Sequence, residues 1–184
     1  DVGNVRLYDQ IGGVHALTQE DGFPGYGGVF IESFFGFSND PPAGIEPNPG
    51  RSDLFDDIFD SLRPDQGGTP LTQGEASSFR FTGIESSSRC PAPPNDRTQT
   101  IECAVLVLGN LLGGTMSHEI AHSLGLADPG GMQFHNAFDG PHHLMDAGFD
   151  RPFAERAQLQ GNRPEFFCRE NYQYIYEILP TELD

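Results

Sequence analysis

One stretch constrains this chain more than any other: TIECAVLVLGNLLGGTMSHEIAHSLGLAD, residues 100 to 128. An apolar run of this kind fits either a buried strand or a helix. Its β-branched content suggests a strand, with a helix beginning near Asn110. Ile101, Val105, Leu108 and Leu112, however, fall on one helical face that continues to His118. The expectation is one long helix from about Thr98 to Leu124.

The rest of the chain is rich in turn residues, with 23 Gly and 15 Pro among 184 residues. Much of it must therefore be loop. Hydrophobic residues make up 36%, enough for a packed core at this length. The segment 4–11 reads as a short strand, and GGVFIESFFGF, residues 27–37, as a better one, β-branched and aromatic after two glycines. Residues 39–50 form a loop by their prolines and glycines. In 52–63, Ser52 can cap a helix, aspartates occupy its first turns, and Leu54, Phe55, Ile58, Phe59 and Leu62 recur at helical spacing until Pro64. The segment 77–85 reads as a strand, and 125–153 is irregular. A closing helix is expected over 163–180, with Pro164 in its first turn and Phe167, Cys168, Tyr172, Ile175 and Leu179 on one face. These elements predict a single loop-rich α+β domain over 1–184.

The net charge is −17, and all ten basic residues are arginine. Such a surface repels nucleic acid and anionic membranes. Its carboxylates could also furnish structural calcium sites, although plain solvated charge is the expectation. No apolar run approaches the length needed to span a bilayer, so no membrane insertion is expected. No signal peptide is recognised, and Asp1 is expected to be a mature terminus or the edge of an excised fragment. Three cysteines give an odd count. Cys90 and Cys103 flank a proline-rich loop and are the favoured pair, with Cys168 left as an alternative partner for either.

The chemistry concentrates in SHEIAHSLGLAD, residues 117–128. Residues four apart stack on one face of a helix, so His118 and His122 can present two imidazoles to one metal ion. Glu119 lies beside that line, where a base for an activated water belongs. Gly125 can end the helix in a left-handed turn, and Asp128 then approaches the metal as third ligand. Two imidazoles and one carboxylate leave a fourth position open, as a catalytic zinc requires. His135, His142 and His143 follow. His135 could replace Asp128 or hold a second metal, but polar loop residues are the expectation for all three. His15 stands alone.

His118, Glu119, His122, Gly125 and Asp128 resemble the extended zinc signature of the metzincin clan of metallopeptidases. An aspartate as third ligand is similar to small neutral proteases of the snapalysin kind. HHLMDAG, with Met145, resembles the clan's methionine turn beneath the metal. DGFPGYGGVFIESFF resembles the matrixin loop and edge strand, which would place Gly28, Val29 and Phe30 on a strand, Gly28 to Phe35, that pairs with substrate. The resemblance implies a twisted mixed sheet with an active-site helix and a C-terminal helix. It also implies a secreted, monomeric, zinc-dependent endopeptidase acting on protein or peptide substrates. The alternatives are a catalytically idle zinc-containing binding or adhesion domain, and a zinc hydrolase of a non-peptide amide.

Overall fold

The computed structural model describes residues 31–78, 90, 93–123, 126, 135–136, 140–146 and 151–179, apart from the side chains of His122, Ser123 and Ile178. Helix is the main regular structure among them. A 3₁₀ helix spans Ile31–Phe37, followed by α1 (Asp53–Phe59), α2 (Gln73–Ser78), α3 (Arg97–Ser123), α4 (Phe153–Arg156) and α5 (Arg169–Ile178). Extended pairing among the described residues is limited to one isolated parallel bridge, His143 with Phe166. The expected α+β fold with a twisted mixed sheet is corrected accordingly. The segments 4–11 and 79–85 lie outside the described residues, and Ser77 and Ser78 close α2 instead of opening a strand.

Two compact units are distinguished. The first comprises Phe30–Leu112 and Phe149–Pro164. Its core is aromatic. Phe37 lies 5.5 Å from Phe153 between ring centroids, and Phe55 meets Phe153 edge-on at 5.4 Å. This core explains why the expected strand over 27–37 is a 3₁₀ helix from Ile31 onward. Phe34 and Phe37 are both buried, and residues three apart eclipse on a 3₁₀ helix. A strand would send them to opposite faces. The Arg156 guanidinium lies over both rings, at 5.8 Å from Phe34 and 5.4 Å from Phe37, a cation–π arrangement that needs them on one side.

α1 forms where its sequence suggests, but its α-helical part ends at Phe59 and Asp60–Leu62 continue it as a 3₁₀ turn. Ser52 sits at φ −156°, ψ 138°, and its hydroxyl accepts from the Leu54 N–H at 3.2 Å. Asp53 and Asp56 place negative charge in the first turn, where the helix dipole favours it. Beyond α1, the buried Arg63 donates to Ser38 Oγ at 2.7 Å, Asp60 Oδ1 at 2.9 Å and Asp65 Oδ2 at 2.6 Å. This network compensates the burial of its charge.

α3 is the long helix that its sequence predicts. Asp96 caps it by accepting from the Gln99 N–H at 2.9 Å. Cys90 and Cys103 stand as a disulfide pair just ahead of and within its first turns, with 5.3 Å between Cα atoms. The buried line along the helix is Ile101, Ala104, Val107, Leu111, His118 and Ala121. Val105, expected on that line, is exposed instead. By length and composition, Arg97–Ala121 is apolar enough to cross a membrane, which the sequence reading overlooked.

The second unit comprises Asp1–Val29, Gly113–Gly148 and Glu165–Asp184. In it, α5 begins at Arg169, several residues later than expected. The reason lies in the bridge. Phe166 N–H donates to the His142 carbonyl at 2.9 Å, and the Phe166 carbonyl accepts from Leu144 N–H at 2.8 Å. Residues committed to such pairing cannot also make helical bonds. Cys168 becomes the cap, its sulfur accepting from Asn171 N–H. The inward face shifts as a result: Asn171 is 1% exposed, whereas Tyr172, expected inside, is 62% exposed.

Candidate metal centre

His118 lies near the end of α3 and is only 5% exposed. Its Nδ1 stands 2.7 Å from the Leu144 carbonyl oxygen. A carbonyl only accepts, so Nδ1 carries the hydrogen, and in the neutral ring the lone pair resides on Nε2. This is the arrangement that orients a metal-ligating histidine. Glu119, the next residue, is exposed. His122 follows one turn later in the same helix, which places its backbone where the i, i+4 pairing requires.

α3 closes with a backbone bond from Leu126 N–H to the Ala121 carbonyl at 3.0 Å. A bond of that span closes helices whose chain reverses just past the last turn. Leu126 and Ala121 then pack with Met145, which has no exposed surface, and with Phe167, Tyr174 and Ile175. Met145 thus sits beneath the end of α3. Its neighbour Leu144 holds His118.

The Met145 carbonyl holds a second element. It accepts from Asn136 N–H at 3.1 Å. The Asn136 side chain donates onward to Asn171 Oδ1 at 2.9 Å. Two consecutive carbonyls, 144 and 145, therefore fix His118 on one side and the backbone beside His135 on the other. The rings of His118 and His135 lie 5.2 Å apart between centroids, with planes inclined by 21°.

The remaining candidates divide clearly. His143 Nδ1 accepts from Gly140 N–H at 3.3 Å, and its ring meets Phe166 edge-on at 5.1 Å. His142 occupies a turn at φ +71°. Burial pushes the Cys168 thiol above its ordinary pKa, which disfavours the thiolate that a metal would need. The side chain of His122, together with Gly125, Asp128, Gly28, Val29, Phe30 and His15, lies outside the described residues. The expected substrate-pairing strand is corrected over Ile31 to Phe35, which belong to the 3₁₀ helix.

Sequence reasoning missed two contributors, the Leu144 carbonyl and the Asn136–Asn171 pair, and it ranked His135, whose ring lies near His118, as a polar loop residue ahead of a ligand. A backbone carbonyl has no signature in a sequence.

No protein-family model, curated protein or solved structure matches this chain. The resemblance to the metzincin clan is therefore corrected. No relative carries it, and the described residues contain no sheet. Nor is any group of three metal-capable side chains gathered among the described residues.

Proposed function

We propose that the chain is a zinc-dependent hydrolase of peptide bonds, with His118 and His122 as ligands and Glu119 as the proton-transferring base. The spacing of the sequence offers Asp128 as a third ligand, and the metal and base of this reading do not depend on that choice. The observation that carries it is the 2.7 Å contact between His118 Nδ1 and the Leu144 carbonyl. It fixes the tautomer and the ring direction that a metal ligand needs, at the first of two histidines one helical turn apart. Pairing with an intervening glutamate is what metal-assisted peptide hydrolysis uses.

Bound zinc would act as a Lewis acid, lowering the pKa of water toward about 7 and polarising the scissile carbonyl. Glu119 takes the proton of the attacking water and passes it to the leaving amine. Its exposure suits that role, since it can meet solvent and substrate. An idle zinc-binding domain would have no use for a base there. The 3₁₀ helix over Ile31–Phe37 supports a second reading, hydrolysis of a non-peptide amide, because it removes most of the strand expected to hold a peptide.

The test is digestion of casein and of a panel of small amides, with and without a chelator, by wild type and Glu119→Ala. Zinc content is measured in parallel. Glu119→Ala is expected to retain zinc and to lose about 10²–10⁴-fold in rate, the range for a general base. A zinc-loaded variant with near wild-type turnover would refute the role of Glu119. Absence of any chelator-sensitive hydrolysis in wild type would refute the enzyme. Cleavage confined to the small amides would select the second reading.

A further inference from the structure

We infer that His135 is an imidazole ligand of the proposed zinc ion and makes, with His118 and His122, a three-histidine donor set. The inference rests on the metal and base of the proposed function and changes only the third ligand. Two imidazoles bound through ring nitrogens at about 2.0–2.1 Å on one tetrahedral ion hold their ring centroids roughly 5 Å apart. The His118 and His135 rings are 5.2 Å apart. The spacing is held from below. The Leu144 carbonyl fixes the His118 ring at 2.7 Å, and the adjacent Met145 carbonyl fixes the backbone of Asn136 at 3.1 Å. Asn136 is tied in turn to the buried Asn171 at 2.9 Å. His135 is therefore attached to the same turn that orients His118, and it is half-buried there. His143 is turned to Gly140 and Phe166 instead. Three imidazoles leave one position open, as a catalytic zinc needs. Asp128 is then not required for coordination.

The experiment is a competition titration of the full chain with zinc and a chromophoric chelator, with circular dichroism as a control for folding. His135→Ala is expected to weaken zinc binding by more than about 100-fold, beyond the 10–100-fold effect of outer-shell partners. Asp128→Ala is expected to stay within about tenfold. A loss of about 100-fold or less in His135→Ala marks a stacked pair or an outer-shell role and overturns the inference. An equal loss in both variants overturns the three-histidine set. X-ray absorption on the zinc-loaded wild type needs no substitution. Scattering from three imidazoles supports the inference, and scattering from two overturns it. If His118→Ala loses zinc and His135→Ala keeps it, the inference falls while the proposed site stands. If wild type binds no zinc, both fall.

Discussion

Met145 shows how one side chain can serve a site it does not touch chemically. It is fully buried against Ala121 and Leu126, and its own carbonyl and that of Leu144 anchor the residues around His118. Truncation to alanine is expected to cost about 2–5 kcal/mol through lost contacts and the remaining cavity. Met145→Leu, close in volume, should cost less than about 1.5 kcal/mol. Denaturant titrations of the two variants measure this, and an unchanged midpoint for Met145→Ala would show that the packing there is loose. Met145 could be picked out of the sequence only by resemblance to a known turn, because a methionine in a loop is commonly filler. His118 was legible from spacing alone. Its partner Leu144 was not, since any residue supplies a carbonyl.

At the scale of elements, the Arg97–Glu75 ion pair ties α2 to the start of α3. Arg97 donates to both carboxylate oxygens of Glu75, and also to the Thr69 and Pro70 carbonyls at 3.0 Å. The Arg97 hydrogen bond, reinforced by Thr72, lowers the Glu75 pKa from 4.5 to about 2. A carboxyl depressed on folding stabilises the fold above its unfolded pKa, and that contribution is lost as pH falls through the folded value. The window here runs from about 4.5 down to about 2. Glu75→Gln is therefore expected to melt below wild type at pH 6, with the gap closing toward pH 2. A gap of the same size at both pH values would mean that the pair contributes nothing through its charge. α1 and α3 were both legible from apolar residues at helical spacing, α1 also from its cap at Ser52, whereas the Asp96 cap of α3 was not picked out. The 3₁₀ helix was not, because FIESFF satisfies strand propensity locally. Arg156 and Phe153, far along the chain, decide the matter.

For the molecule as a whole, zinc would join α3 to the segment after it, so its removal should lower stability as well as activity. A ligand that binds only the folded state contributes RT ln(1 + [L]/Kd), about 4 kcal/mol at a thousandfold excess over Kd. Thermal melts before and after chelation are expected to separate, and restored zinc should return the curve. Coincident melts would show that the metal, if bound, is not a structural tie. The net charge of −17 adds a salt dependence: screening should raise the melting temperature of both forms, since self-repulsion opposes compaction.

Local sequence alone determined α1, α3, the cap at Ser52 and the placement of His118 and His122 one turn apart on one helix. Each depends on interactions within a few residues, and short-range geometry is written directly in residue order. Tertiary contacts decided the rest. The helical state of Ile31–Phe37 follows from a buried aromatic cluster. The late start of α5 follows from the His143–Phe166 bridge. The approach of His135 to His118 follows from a turn at 144 and 145 that grips both. Those outcomes depend on which distant groups meet, and a carbonyl or an aromatic face offers no sign in the sequence of the partner it will find.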